Sequence, residues 1–344
     1  MDRADISSMP LPRLEQWVTD ALGQPRFRAG QLFKWLHQKQ AISFDQMTDL
    51  PAALRETLAR QAEIAGVSTR LCQVSRQDGT RKYLLELADG NCVEAVLMQY
   101  RHGGSLCIST QVGCRMGCAF CASTLGGLVR SLTAGEMLGE VYEVQRQTGG
   151  PVDSLVLMGI GEPLDNFDSV LDFLDILSSP QGRNMSLRHV SLSTCGLADE
   201  IDRLAEKKLG LTLSVSLHAA DDTTRSSIMP INKKYDIGRL MASCKAYYEA
   251  TGRRISYEYA LIDGVNDTPA HADRLARLLA GQNCHVNLIP VNPVAERGTR
   301  RSKDSAIRAF RQLLEDRGLN ATVRRELGSD IAAACGQLRR AMDN

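Results

Sequence analysis

From about residue 104 onward, the chain alternates between short apolar stretches typical of β-strands and amphipathic stretches typical of helices. The candidate strands are residues 106–109, 154–158, 189–193, 211–217, 255–261, 285–289 and 322–324. The candidate helices are residues 134–147, 168–177, 198–206, 237–250, 271–279 and 303–316. This alternation predicts an α/β fold with a parallel sheet covered by helices. It also places functional residues at the carboxyl ends of the strands.

The chain before residue 104 has a different pattern. Apolar residues at helical spacing begin after Pro12 and stop at Gly23, a second run covers residues 28–38, and a third follows Pro51. These three runs predict a small helical domain with a core of its own.

Two strands follow the helices, at residues 83–87 and 92–97, and the dipeptides Asp78-Gly79 and Asp89-Gly90 favour hairpin turns beside them. We therefore expect four regions along the chain. They are a helical accessory domain (1–68), a β-hairpin extension (69–103), the region of alternating strands and helices (104–325) and a C-terminal segment (326–344).

Charge and composition narrow the class of protein. The 344 residues include 41 basic and 40 acidic side chains, so no large uniform field is expected and any nucleic-acid binding must rely on local patches. No apolar run reaches the roughly 18–20 residues of a membrane helix, and the first residues lack the apolar centre of a signal peptide. Ten cysteines without such a peptide indicate a reducing cytoplasm rather than a disulfide framework.

Three of the cysteines, Cys114, Cys118 and Cys121, have the spacing C-x3-C-x2-C. Three thiolates can hold three irons of a [4Fe–4S] cubane, which usually has four cysteine ligands, and this leaves one iron open for a small molecule. A zinc site is the alternative, with His102 or Cys107 as the nearest fourth ligand. Zinc sites usually show two paired knuckles, so the spacing favours the cluster.

Small and polar residues follow the candidate strands, as expected for a site at the strand ends. Gly161 and Glu162 come after the strand at 154–158, where glycine allows close approach of a ligand and a carboxylate can accept hydrogen bonds. The corresponding candidates after later strands are Ser193, Ser216, Leu217, His218 and Asn292.

Two further cysteines, Cys107 and Cys335, are candidates for chemistry. Cys107 lies seven residues before the first cysteine of the triad, and Cys335 lies in a Gly- and Ala-rich segment that contains an acid. The other cysteines are expected to be small buried apolar residues: Cys72, Cys92, Cys195, Cys244 and Cys284.

The cysteine triad, with Phe120 just before its last member, and the run Gly161-Glu162-Pro163 resemble the radical S-adenosylmethionine (SAM) superfamily. Over nearly its whole length the chain resembles the RlmN family of rRNA and tRNA adenine-C2 methyltransferases. The stretches that carry this resemblance are 93–98, 107–121, 159–165, 216–219, 285–293 and 324–338. The resemblance implies a partial (β/α)6 barrel with a small N-terminal helical domain, a [4Fe–4S] cluster on the triad, and two SAM molecules per turnover.

The resemblance also implies roles for individual residues. Cys335 would take a methyl group from one SAM, the second SAM would yield the radical that activates this methyl, and Cys107 would release the product by forming a transient disulfide with Cys335. Glu94 matches the position of the base that removes the adenine proton, with Cys107 as its rival and a solvated strand carboxylate as the plain alternative. The contacts to SAM would come from the strand-end residues Gly161, Glu162, Ser193, Ser216, Leu217, His218 and Asn292.

The implied substrates are an adenosine in the peptidyl transferase region of 23S rRNA, position 2503, and adenosine 37 of some tRNAs. The implied partner is a reducing protein such as flavodoxin or ferredoxin, and a cytoplasmic monomer without membrane contact is expected. Basic residues that could neutralise phosphates form local groups in the sequence: Arg26, Arg28, Lys34, Arg297, Arg300, Arg301, Lys303, Arg324 and Arg325. The helical accessory domain would share in binding the RNA.

Two other functions remain open at this point. A Cfr-type enzyme, which methylates carbon 8 of the same adenosine, would use the same cysteines, although Pro163 and the overall pattern favour the C2 family. A non-enzymatic iron–sulfur electron carrier or an RNA-binding scaffold would explain the triad, but a carrier normally has four cysteines in one compact pattern and has no need of Cys335.

Overall fold

The computed structural model describes residues 3–101 and 103–339. Near the N-terminus, three helices, α1 (Leu11–Asp20), α2 (Phe27–His37) and α3 (Ala52–Gln61), form the expected helical region. Strands β1 (Ala4–Asp5) and β2 (Ala62–Glu63) pair in parallel and bring the two ends of this region together.

A ten-stranded sheet forms the centre of the molecule. Its ten strands are β3 (Val67–Val74), β4 (Arg81–Leu87), β5 (Cys92–Tyr100), β6 (Gly103–Ile108), β9 (Ser154–Leu157), β10 (Val190–Thr194), β11 (Thr212–Ser216), β12 (Ile255–Leu261), β13 (Cys284–Pro290) and β14 (Ala321–Val323). Two short strands between β6 and β9, β7 (Gln111–Gly113) and β8 (Leu128–Ser131), pair with each other outside this sheet. The spatial order is β14-β13-β12-β11-β10-β9-β6-β5-β4-β3. The strands from β6 to β14 in this order are all parallel, so the expected parallel sheet is confirmed.

Helices follow the first six parallel strands. They are α4 (Ala134–Thr148), α5 (Phe167–Ser178), α6 (Ala198–Glu206), α7 (Asp222–Ile228), α8 (Ile237–Thr251), α9 (Pro269–Leu278) and α10 (Asp304–Asp316), where α7 is an extra short helix before α8. Six strand–helix units followed by β14 make a partial (β/α)6 barrel. The barrel is open because β6 pairs with β5 and β9, and not with β14.

Strands β3, β4 and β5 form an antiparallel meander that continues the same sheet through the pairing of β5 with β6. The region expected as a hairpin extension is thus joined to the barrel by backbone hydrogen bonds. One side of β5 and β6 packs against the helices, and the other side faces the inside of the open barrel.

Local sequence signals explain where the helices begin and end. At the start of α4, Thr133 Oγ1 accepts a hydrogen bond from the Glu136 N–H at 3.2 Å, and the Glu136 carboxylate accepts one from the Thr133 N–H at 2.9 Å. The helix stops at Gly149, which has a φ of 67°, a conformation that glycine adopts without strain.

The apolar core lies between the sheet and its covering helices. A second, smaller apolar cluster lies on the inner side of β5 and β6 and includes Val96, Cys107, Ile160, Leu327 and Leu338. The C-terminal segment therefore closes over the inside of the barrel. Within the part of the chain that the structure describes, no helix is both long and apolar enough to cross a membrane.

Candidate active site

The cysteine triad and most of the predicted strand-end residues line one cavity at the carboxyl ends of the parallel strands. The candidates on its wall are Cys114, Cys118, Cys121, Gly161, Glu162, Ser193, Ser216, His218, Asn292 and Cys335. The strand–helix pattern predicted this convergence, because parallel strands end at the same edge of a sheet. Leu217, Cys107 and Glu94 are not among the lining residues.

The three triad cysteines lie on one loop that begins at the end of β7. Gly113 precedes Cys114 with a φ of 78°, and any side chain there would collide with the Gly127 carbonyl, whose oxygen accepts the Cys114 N–H at 3.0 Å. Glycine is thus required for the loop to close on itself. Phe120 packs edge-on against His218, with ring centroids 4.8 Å apart, and so fixes the loop against the end of β11.

The donor set fits an iron–sulfur cluster. All three thiols are free, and burial is the main cause that raises the pKa of Cys114, to about 12. Iron would displace these protons, since a coordinating thiol is deprotonated outright. Each thiol of a cubane binds a different iron, so the sulfurs need not meet at one atom. Among the described residues, no three His, Cys, Asp or Glu side chains converge as ligands of a single ion do. His102, considered as a fourth zinc ligand, lies outside the described residues.

Glu162 is fixed by backbone donors at the end of β9. One carboxylate oxygen accepts the Cys195 N–H at 2.7 Å and the other accepts the Leu164 N–H at 3.1 Å. Burial raises the pKa of this carboxyl, and the two backbone N–H groups act in the opposite direction. Gly161, with a φ of 110°, has no room for a side chain beside Gln111, so backbone and carboxylate face the cavity together.

His218 is held in one tautomer. Its Nδ1 accepts the Ala260 N–H at 2.9 Å, which places the ring proton on Nε2. Burial, and to a lesser extent the nearby Arg225, lower the pKa of His218 to about 3, so the ring is neutral at physiological pH. Its backbone has a φ of 56°, a conformation that is costly outside glycine and is found at functional sites.

Arg225, in α7, ties together the loops at the strand ends. Its guanidinium donates to the carbonyls of Cys195 (2.7 Å), Ser216 (3.1 Å) and Leu217 (3.0 Å) and is fully buried. Leu217 itself has its side chain in the core, so this predicted SAM contact lies behind the cavity wall rather than on it. Sequence analysis missed Arg225 because α7 is short and polar.

The C-terminal segment carries Cys335 into the cavity and is bonded to its wall. The Asn292 side chain donates to the Cys335 carbonyl at 3.0 Å. The Ala122 N–H, next to Cys121, donates to the Gly336 carbonyl at 2.8 Å. A cysteine far along the sequence is thereby held beside the triad loop.

Cys107 lies on β6, beneath the C-terminal segment. It is 6 % exposed, and burial is the main cause that raises its pKa to about 12, followed by the neighbouring Cys335. Arg324 acts in the opposite direction, and its own pKa is raised chiefly by Cys335 and also by Glu258. The two predicted redox cysteines are thus electrostatic neighbours, with one largely buried cation beside them.

Glu94 is on the same side of the sheet as Cys107. Val96 pairs with Cys107 on the neighbouring strand, and Glu94 lies two residues before Val96 on the same face of β5. Glu94 is only 8 % exposed. Its carboxylate binds Lys82 at 3.2 Å and accepts the Arg339 N–H at 2.7 Å. The alternative of a solvated strand carboxylate is therefore wrong, because the C-terminal segment covers this position.

Three other interpretations of the sequence need correction. Cys72 was expected to be buried, but it is exposed, because it lies on β3 at the outer edge of the sheet. Arg297 was among the basic residues that could neutralise phosphates, but its guanidinium donates to the Cys121 carbonyl at 3.3 Å and to Thr124. This arginine therefore fastens the triad loop. Arg324 is likewise turned inward beside the cysteines rather than toward solvent.

Comparisons with known proteins agree with this geometry. The model of the radical SAM superfamily matches residues 108–276, and that of the ribosomal RNA large subunit methyltransferase N-terminal domain matches residues 4–64. A crystal structure of a radical SAM methyltransferase from Sphaerobacter thermophilus is 44% identical, with a TM-score of 0.91 over 98% of this chain and 99% of that one. Fold and site thus define a radical SAM enzyme, whose cofactors are a [4Fe–4S] cluster and SAM.

The curated relatives specify the family. A probable dual-specificity RNA methyltransferase RlmN from Lachnoclostridium phytofermentans is 50% identical over 98% of this chain and 95% of its own length. One from Bacillus velezensis is 49% identical over 98% and 93%. The chain belongs to the RlmN family of SAM-dependent RNA methyltransferases. Membership in this family excludes the electron-carrier and scaffold alternatives.

Proposed function

We propose that this enzyme methylates carbon 2 of an adenosine in RNA, with Cys335 as methyl carrier and Cys107 as the residue that releases the product. The strongest support is the position of Cys335, which lines the same cavity as the triad and whose carbonyl accepts a hydrogen bond from the Asn292 side chain. Carbon 2 of adenine is electron-poor and has no lone pair, so direct polar transfer of a methyl group from SAM to it fails.

The bound cluster and SAM supply a methyl group and a radical able to remove hydrogen from it. Cys335 supplies a nucleophilic sulfur at the cavity wall. The sulfur takes the methyl group by displacement and later carries the reacting carbon to the base. Because the cavity wall holds the reacting groups in place, bringing them together costs little additional entropy. The cavity also keeps the reacting groups away from bulk water.

Cys107 would end the reaction by attacking the sulfur of Cys335. As the disulfide forms, the bond between sulfur and the product carbon breaks, and the carbon keeps the electron pair and takes up a proton to complete the methyl group. Because burial raises the pKa of Cys107, this thiol stays protonated and unreactive before the attack. Arg324 beside both sulfurs would favour the thiolate at that stage.

The base that removes the adenine proton is assigned to Glu94, with Cys107 as its rival. Glu94 has a carboxylate on the correct side of the sheet, but its two oxygens already bind Lys82 and the Arg339 N–H. Movement of the C-terminal segment on RNA binding would free one of them. Cys107 needs no such movement, because it already neighbours Cys335.

The cavity residues would hold SAM through complementary groups. Gly161 and Glu162 would bind its amino group, and the two hydroxyls of Ser193 and Ser216 would bind the carboxylate or ribose. The neutral His218 offers an Nε2–H donor. Asn292 would bind the adenosine with its carbonyl or its second N–H, since one N–H donates to the Cys335 carbonyl.

We infer that the substrates are the adenosine of 23S rRNA and adenosine 37 of tRNA. The protein would act in the cytoplasm as a monomer. Support comes from the names of the relatives and from a second opening to Cys335. This opening is a cavity whose lining includes Cys335 and the cations Arg301 and Arg325. The base must leave its stack to reach this depth. Locating the methyl on the adenine ring after RNA digestion distinguishes this proposal from a carbon-8 enzyme.

The proposal is tested with Cys335→Ala. This variant should keep its cluster and bind SAM, because no cluster thiol is changed, but should methylate RNA at least 1,000-fold more slowly, in the range lost when a covalent catalyst is removed. The measurement is methylated adenosine per turnover, with iron content and SAM binding as controls. Methylation at the wild-type rate would disprove the carrier role.

A further inference from the structure

Part of the triad loop lies at the protein surface. Cys114 and Cys118 are 6 % and 9 % exposed, whereas Arg115 and Gly117 between them are exposed. Each of these two ligands therefore has an exposed residue as its direct neighbour in the chain. An electron that enters at Arg115 or Gly117 is one residue along the chain from a ligand thiol.

A shallow depression lies beside this point. It is lined by Arg115, Met116, Pro230, Ile231, Lys233 and Lys234. The last residue of α7, just before the residues that line the depression, is bonded to the triad loop, because the Ala119 N–H donates to the Ile228 carbonyl at 2.9 Å. The depression is thus part of the same rigid unit as the cluster ligands.

The depression has an apolar floor and a cationic rim. The half-buried Met116 and Ile231 form the floor, and the exposed Pro230, Lys233 and Lys234 stand on the rim. An apolar centre with a polar rim is the usual anatomy of a protein interface. Small interfaces of this type are typical of transient redox encounters.

The rim keeps a positive charge despite nearby acids. Arg115 is paired with Asp165, but the arginine side chain is 63% exposed and the aspartate only 9%. Asp199 and Glu200 lie close enough to raise the pKa of Lys234, after the larger effect of Tyr235. Lys234 therefore stays charged, and the rim presents cations outward.

We propose that this depression is the docking site of an acidic one-electron carrier protein, which reduces the cluster through the backbone of residues 115–117. This rests on the proposed function, in which the cluster must be reduced for each turnover. One electron passes from carrier to cluster, so the carrier is oxidised and the cluster reduced, with no bond made or broken.

A protein fits this position better than RNA does. The depression shares only Met116 with the cavity that holds Cys335, and shares none of the residues around the second, arginine-lined opening to Cys335. The target base must reach Cys335, whereas an electron donor need reach only the triad loop. An apolar floor also suits a protein surface rather than a phosphate backbone.

The test is the double variant Lys233→Glu/Lys234→Glu in the cluster-loaded enzyme, with reduced flavodoxin as the probe. Cluster reduction is followed by stopped-flow absorbance at low and at physiological salt, and binding of oxidised flavodoxin by calorimetry. We expect the second-order rate at low salt to fall about tenfold or more, binding to weaken, and most of the salt dependence to disappear.

Matched controls separate docking from other effects. Lys207→Glu/Lys245→Glu makes the same charge change at exposed positions elsewhere and should leave reduction by flavodoxin within about twofold of wild type. With dithionite as reductant, the Lys233/Lys234 variant should methylate RNA with unchanged KM and kcat. A wild-type enzyme that forms no methylated RNA with dithionite would instead refute the proposed function, which the flavodoxin rates do not test.

Two results would overturn the docking site. One is an unchanged rate of reduction by flavodoxin in the Lys233/Lys234 variant. The other is a raised KM for RNA with dithionite while reduction by flavodoxin is normal, which would make the depression an RNA contact.

Discussion

The chemical state of Cys107 depends on its burial. Burial raises the pKa of this thiol from its ordinary value to about 12, so nearly all of it is protonated at pH 8. Because the thiolate is the reactive form, iodoacetamide should label Cys107 far more slowly than the exposed Cys72 at pH 8. The Cys107 rate should rise with pH up to about 12. Peptide mapping measures both; equal labelling at pH 8 would refute the burial argument.

The role of Cys107 in product release gives a second prediction. Cys107→Ala should trap RNA joined covalently to Cys335, because no thiol remains to break the bond between sulfur and carbon. The crosslinked species is detected as a shifted band that carries both protein and RNA. Cys72→Ala, which removes a cysteine far from the cavity, is the control and should give free product. Free methylated RNA from Cys107→Ala would contradict the assignment.

Some site residues can be found from sequence and others cannot. The triad and Glu162 were identified because spacing and position after a strand are visible in one dimension. The partners of Glu94, Lys82 and the Arg339 N–H, come from distant elements. No local pattern shows such contacts. Arg225 was missed because α7 is short and polar and because the carbonyls it binds lie at the ends of other strands.

At the scale of elements, the triad loop depends on Gly113. Gly113→Ala places a side chain at a φ of 78° and against the Gly127 carbonyl, which should cost about 1–3 kcal/mol in backbone strain alone. We expect a lower iron content after identical reconstitution. Gly126→Ala in the same loop meets no atom within 4 Å and should reconstitute normally; equal iron in both variants would show that the loop tolerates the strain.

The accuracy of the predicted elements followed the strength of their local signals. The predicted bounds of α6 and β12 match the structure, because each has a clear period and a clear stop. The seven-residue α7 and the outer strand β3 were missed. α7 is too short for a helical period to show, and β3 is largely exposed and so lacks apolar alternation.

At the scale of the whole molecule, the open barrel explains how Cys107 and Cys335 meet. A closed barrel would fill its interior with side chains, whereas here β6 pairs with β5 and leaves the inner face free. The C-terminal segment occupies part of this space and is tied to the triad loop at Gly336 and Leu338. The alternation of strands and helices predicted the parallel sheet and the family resemblance implied the barrel, but the path of this segment is set by tertiary contacts.

The central claim is that Cys335 carries the methyl group, and the mass of its peptide tests this most directly. The enzyme is incubated anaerobically with SAM after loading of the cluster, without RNA, and digested. If Cys335 is the carrier, the peptide that contains it gains about 14 Da, one methyl in place of hydrogen. An unmodified Cys335 peptide, in a preparation that cleaves SAM when reduced, would show that Cys335 does not carry the methyl group.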